Sequence, residues 1–79
     1  MKWIEKDNKL EREFEFKDFQ RALDFVNKVG EIAEKNKHHP DIKIFDYKFV
    51  LISMTTHDKG NTITDKDRTL SSDIDKIDL

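Results

Sequence analysis

The sequence predicts an α+β domain in which helices cover one face of an antiparallel sheet. Three observations carry this. Residues Leu10 to Phe16 alternate apolar and charged with a period of two. Residues Phe19 to Ala33 place apolar side chains at helical spacing. Residues Ile42 to Met54 form a run rich in β-branched and aromatic side chains. With 79 residues the chain has room for one core, so one domain is expected over residues 1–79.

Taken in order, Trp3-Ile4-Glu5-Lys6, Asp7-Asn8 and Lys9 to Phe16 read as a hairpin, because Asp and Asn tolerate the positive φ of a two-residue turn. On the second arm Leu10, Arg12, Phe14 and Phe16 share one face. Glu11, Glu13 and Glu15 share the other and read as a solvated face rather than as acid–base groups. Asp18 is placed to cap a helix that starts at Phe19 and runs to about Lys35. Gly30 lies inside it at a cost of about 1 kcal/mol relative to Ala, which suggests the close approach of another element, such as a helix of a second subunit. Pro40 disfavours helical geometry at His39, so the helix must end at or before the histidines.

Ile42 to Met54 is apolar on both parities. The run is therefore either covered on both faces or turns one face to a partner. Asp46 interrupts the pattern, which marks a bulge, and leaves open whether the run is one long strand or two. Thr55 to Ile63 is a polar loop. Thr64-Asp65-Lys66-Asp67 has the form of a capping box, and Leu70, Ile74 and Ile77 give the following helix one apolar stripe.

Composition narrows the function. The formal net charge of −2, with both signs interspersed, supplies no basic stripe for nucleic acid. No apolar run reaches the roughly 20 residues that span a bilayer, and "MKWIEKDNKL" has no apolar signal region. A soluble, cytoplasmic protein is expected, with a substrate that is not highly charged. There is no cysteine, so disulfides and thiolate metal sites are excluded. Domains this small are marginal alone, which points to homo-oligomerisation.

The three histidines are the chemistry-bearing residues. His38 and His39 precede the apolar run and His57 follows it. As isolated loop residues they are ordinary surface polar groups. As a set stiffened by Pro40 and flanked by Asp41 and Asp58, they suit general acid–base work near neutral pH. Zinc ligation is disfavoured, since adjacent histidines in extended chain diverge and no helical i, i+4 pair exists. No serine sits in a recognisable nucleophile turn. An unbroken strand would hold the histidines about 40 Å apart at about 3.3 Å per residue, so a common site requires the chain to fold back near Asp46 or the loops to curl over the sheet.

Glu34, then His38-His39-Pro40, Tyr47, His57 and Asp67, at intervals of three, six, nine and nine residues, match a signature. Trp3, "FEFKDFQRALDFVNKVGEIAEK" and "TTHDKGNTITDKD" extend the match over nearly the whole chain. On these residues the sequence resembles the pterin-4a-carbinolamine dehydratase family. The resemblance implies a four-stranded antiparallel sheet with helices on one face, and homodimers or homotetramers formed through sheets and helices. It implies dehydration of a 4a-hydroxytetrahydropterin to quinonoid dihydropterin, with no metal or organic cofactor. It places His38, His39 and His57 around a pterin pocket, with Glu34, Pro40, Thr56, Asp58 and Asp67 at positions around them as substrate-binding residues. His38 and His39 are expected to transfer protons, and His57 to transfer a proton or orient the hydroxyl. For Asp67, capping its helix is the stronger reading against a direct part in catalysis. Three features depart from the family. A helix usually precedes the tryptophan, Lys37 stands where many relatives carry an acidic or small polar residue, and the loop between His57 and Asp67 is one residue longer than usual. A second implication is of another class: a non-catalytic dimerisation or regulatory module, since animal relatives bind a transcription factor.

Overall fold

The computed structural model describes residues 2–78. The elements run β1 (Ile4–Lys6), β2 (Lys9–Glu15), α1 (Phe19–Asn36), β3 (Asp41–Phe45), β4 (Phe49–Met54), a single 3-10 turn (His57–Lys59) and α2 (Asp65–Asp75). The four strands form one antiparallel sheet in the order β1-β2-β4-β3. This is the α+β architecture expected, with four strands.

Both hairpins turn on left-handed residues. Lys6 pairs with Lys9 across Asp7 and Asn8, whose φ values are 51° and 63°. That is the primed turn matching strand twist. The run from Ile42 to Met54 is two strands, not one, and the feature at Asp46 is a turn rather than the expected bulge. Phe45 pairs with Phe49, and between them Asp46 and Tyr47 sit at φ 49° and 55°. Asp accepts this geometry readily and Tyr does not. The Phe45 and Phe49 rings stack across the hairpin with centroids 5.4 Å apart, which helps hold it closed.

Register sorts the two sheet faces. Leu10 pairs with Met54, Arg12 with Ile52 and Phe14 with Val50, while Ile42 and Ile44 face Ile52 and Val50 from β3. Leu10, Val50, Ile52 and Met54 are buried there beneath Ala22, Phe25 and Val29 of α1 and Leu70 and Ile74 of α2. The opposite face presents Ile4, Glu11, Glu13, Phe45, Phe49 and Leu51, and no element of the chain covers it among the described residues. Of its glutamates, Glu15 is exposed, while Glu11 and Glu13 are half-buried. Glu15 pairs with Lys48 at 3.2 Å, and Glu11 accepts from the Ser53 hydroxyl at 3.0 Å.

The helix ends follow local chemistry. The Asp18 carboxylate accepts the Arg21 N–H at 2.9 Å and caps α1. At the other end Lys37, not glycine, takes the left-handed cap at φ 52°, returning its N–H to the carbonyls of Ala33 and Glu34. Gly30 does not mark a close approach within the chain, because a Cβ there would meet nothing within 4 Å. Thr64 and Asp67 form the full capping box of α2. Ile77 lies just past that helix yet packs against the core. Asp75, on its last turn, accepts from the Trp3 indole at 2.9 Å and the Arg12 guanidinium at 2.7 Å, and so ties the N-terminal hairpin to α2.

Candidate active site

The β3–β4 hairpin resolves the distance problem posed by the histidines. Asp41 pairs with Ser53, so the chain entering β3 and the chain leaving β4 emerge at the same end of the sheet. His38 and His39 stand just before the first, and His57 just after the second. All three line one cleft of about 290 Å³, together with Lys37, Asp58 and Lys66.

His38 is the most firmly held. The left-handed turn at Lys37 reverses the chain, and the His38 backbone N–H bonds the Ala33 carbonyl at 3.1 Å. The ring then reaches the start of α2, where Nε2–H donates to Asp67 Oδ1 at 2.6 Å. The two side chains are 11% and 0% exposed. The other Asp67 oxygen accepts the Thr64 N–H at 2.9 Å and the Thr56 hydroxyl at 2.7 Å. Thr56 spends its single hydroxyl hydrogen on Asp67, so the Thr64 hydroxyl, 2.6 Å away, donates to it. One carboxylate thus caps α2, closes a pair of threonines and holds an imidazole.

Burial by itself would push the Asp67 carboxyl up. The hydrogen bonds from His38, from the Thr64 N–H and from Thr56, together with the His38 charge, outweigh it and hold the group below its ordinary value of 3.8.

His39 has the same kind of partner in a different setting. Its Nε2–H donates to Glu34 Oε2 from the last turn of α1, and both side chains are largely in water. His57 begins the 3-10 turn and is exposed. Its Nδ1 lies 2.8 Å from Asn61 Oδ1. Asp58, beside it, lies 3.7 Å from the Lys66 ammonium at the rim.

The structure therefore brings His38, His39, His57 and Asp58 to one cleft. Glu34 reaches it through His39. Thr56 and Asp67 lie behind its wall, 1% and 0% exposed, and reach it through His38. Pro40 is not among the residues lining it. Sequence reasoning overlooked Asn61, Thr64 and Lys66 as part of the site. Thr64 carried the capping-box signal, and Asn61 another: an Asn directly after Gly60 marks left-handed backbone, seen here at φ 56° and 77°.

A larger cleft of about 380 Å³ lies along the outer side of α1, against Lys28, Ile32, Lys35 and Ile77. It holds none of the histidines, so size does not single out the site here. Among the described residues no group of three or more His, Asp or Glu side chains is arranged to hold a metal ion. No helix there is long and apolar enough to cross a membrane.

The family model described as Pterin 4 alpha carbinolamine dehydratase matches residues 1–77. The chain belongs to the pterin-4-alpha-carbinolamine dehydratase family. A family member from Picosynechococcus sp., provisionally named as such a dehydratase, is 48% identical over 95% of this chain and 79% of its own length. One from Sulfurisphaera tokodaii, named in the same way, is 45% identical over 95% and 78%. Among solved structures, a transcriptional coactivator/pterin dehydratase from Brucella melitensis superposes with a TM-score of 0.84 at 31% identity, covering 92% of this chain and 78% of that one. A pterin dehydratase-like protein described as a RuBisCO assembly factor in the alpha-carboxysome gives a TM-score of 0.77, covering 95% and 87%. At 20% identity that likeness shows the fold alone.

Proposed function

We propose that this chain is a cytoplasmic enzyme that dehydrates 4a-hydroxytetrahydropterin to quinonoid dihydropterin. The observation that carries the reading is the convergence of His38, His39 and His57 on one cleft, each ring tied through one nitrogen and left with the other. Family membership supplies the substrate class.

The chemistry needs little more. In the substrate a hydroxyl stands on C4a and a hydrogen on N5. A positioned acid protonates the hydroxyl oxygen, and the C4a–O bond breaks with its electron pair leaving in water. A base removes the N5 proton, and the freed pair closes the C4a=N5 double bond. Each positioned proton transfer contributes typically about 10²–10⁴-fold. Histidine is the side chain whose ordinary titration lies in the neutral range, so it serves either role there. In this reading His38 and His39 transfer protons, and His57 transfers a proton or orients the hydroxyl. Asp58 and Lys66 border the substrate, while Asp67 and Thr56 act through His38 rather than touching the pterin.

The test is stopped-flow decay of 4a-hydroxytetrahydropterin with the wild-type chain and a His38→Ala/His39→Ala variant. A rate at least about 10²-fold lower in the variant is expected. Equal rates would end the reading.

The same reading expects self-association. Among the described residues nothing covers the sheet face bearing Ile4, Phe45, Phe49 and Leu51, and Ile4 is 55% exposed. A homodimer or homotetramer would cover apolar surface of this kind. Light scattering at micromolar concentration should then give a mass well above the 9.4 kDa of one chain.

A further inference from the structure

We propose that Asn61 is a positioning residue: its side-chain amide oxygen holds His57 in the Nδ1–H tautomer and leaves the Nε2 lone pair as the proton acceptor of the cleft. The catalytic consequence rests on the dehydratase reading. The tautomer control does not.

The three histidines differ in what they touch. Asp67 and Glu34 are carboxylates, and a carboxylate only accepts, so the bonded Nε2 atoms of His38 and His39 carry hydrogens. Both rings therefore leave Nδ1 unengaged. His57 is bonded the other way round, through Nδ1, and to an amide oxygen at 2.8 Å. That oxygen also only accepts, so Nδ1 carries the hydrogen and Nε2 keeps its lone pair. Of the three rings, His57 alone offers Nε2. It is also the one whose partner is neutral. When it takes a proton, the new imidazolium keeps its Nδ1–H bond to the amide oxygen, and the ring need not turn.

The backbone is built to keep this pair together. Thr56 and Thr62 bridge reciprocally, with the Thr56 N–H on the Thr62 carbonyl at 3.0 Å and the return bond at 3.4 Å. His57 and Asn61 are thus the first and last residues inside a closed loop. The Gly60 N–H returns to the His57 carbonyl at 3.2 Å and tightens it further. Asn61 lies at φ 56°, a conformation that glycine meets at no steric cost. A backbone requirement alone would therefore accept glycine, and the amide is an addition to it.

In the dehydration the acceptor takes the N5 proton. The N5–H pair becomes the C4a=N5 bond, the C4a–O pair leaves with the oxygen, and His38 or His39, in its imidazolium form, gives its Nδ1 proton to complete the water. One proton enters from the acid, one passes to His57, and solvent exchange resets both rings.

The experiment uses the full chain labelled with ¹⁵N and the variants Asn61→Gly and Asn61→Asp. Glycine suits the φ and removes the acceptor. Aspartate keeps an acceptor at the same reach. Long-range ¹H–¹⁵N correlation at about pH 8.5, where an ordinary imidazole is neutral, reads the tautomer directly. The wild type should show the hydrogen on Nδ1 of His57. Asn61→Gly should revert towards the Nε2–H form that a free imidazole favours, and Asn61→Asp should keep Nδ1–H. In turnover, Asn61→Gly should lower kcat about tenfold, the loss of one hydrogen bond's worth, with KM little changed and the melting temperature undiminished. Asn61→Asp should restore kcat. A wild-type His57 already in the Nε2–H form, or a tautomer unmoved in Asn61→Gly, overturns the proposal. A tautomer that moves as stated in a chain that does not dehydrate the pterin sinks the dehydratase reading and leaves the positioning role standing.

Discussion

His38 and His39 are neighbours in the chain and each donates Nε2–H to a carboxylate, yet the two pairs differ physically. His38 and Asp67 are 11% and 0% exposed, and Asp67 also serves two further donors. His39 and Glu34 are 66% and 75% exposed, and among the described contacts Glu34 serves the imidazole alone. An ion pair in water gains little, because water solvates either partner nearly as well as the other does. In a buried pair, removal of one partner strands the other without solvent. What sets the two apart is the element each ring meets. His38, its N–H bonded back to the Ala33 carbonyl, turns its ring to the buried start of α2, and His39 turns to Glu34 on the exposed last turn of α1.

The largest expected effect follows from Asp67. Asp67→Ala should cost about 3–5 kcal/mol, since it strips the α2 cap, the Thr56 hydroxyl and the His38 ring of their common acceptor. For a domain of this length that lowers the melting temperature by on the order of 15 °C or more, measurable by thermal circular dichroism. A loss below about 1 kcal/mol would erase the distinction between the pairs.

The same contrast has a pH signature. Asp67 titrates below 3.8 in the folded chain and near 3.8 once unfolded. A depressed carboxyl contributes stability that is fully present above the unfolded value and is lost as pH falls through the folded one. Urea unfolding followed from about pH 5 downward should therefore show stability falling below about pH 4. Asp67→Asn, which cannot ionise, should lose that part of the slope.

Thr56→Val is the next step down. It keeps shape and removes the hydroxyl that joins Thr64 to Asp67. With two polar groups left short of a partner in a buried site, a loss of about 1–3 kcal/mol is expected by urea unfolding. Pterin turnover should fall as well, because the carboxylate that orients His38 loses one of its donors.

These two regions also mark how far the sequence could be read. The turn at Asp7-Asn8 is legible because both residues favour left-handed backbone. The turn at Asp46-Tyr47 is obscure because Tyr disfavours it, and the strands on either side are apolar on both parities. The three histidines, Glu34 and Asp67 are legible through their spacing. Their ranking is not. A carboxylate three residues into a helix reads as a cap, and here it caps α2 and holds His38 at once. Thr56 gave no sign of being buried, because its burial comes from the loop closing back through Thr62. Gly30 differs in kind. A helical glycine suggests contact, within one chain there is open space, and a second subunit is the element left to fill it.

The smallest effect tests the other half of the comparison. Glu34→Ala removes the His39 partner on the last turn of α1, where water replaces it at once. The expected cost is at most about 1 kcal/mol. What remains should fade with salt, since at 1 M the screening length is only about 3 Å, while the loss in Asp67→Ala should persist because buried pairs are screened much less. Urea unfolding of both variants at about 0.05 M and 1 M salt makes the comparison. Should Glu34→Ala cost as much as Asp67→Ala and resist salt, burial would not be what separates these histidines. An oligomer contact covering His39 and Glu34 would then be the physical cause to seek, by repeating the measurement across protein concentration.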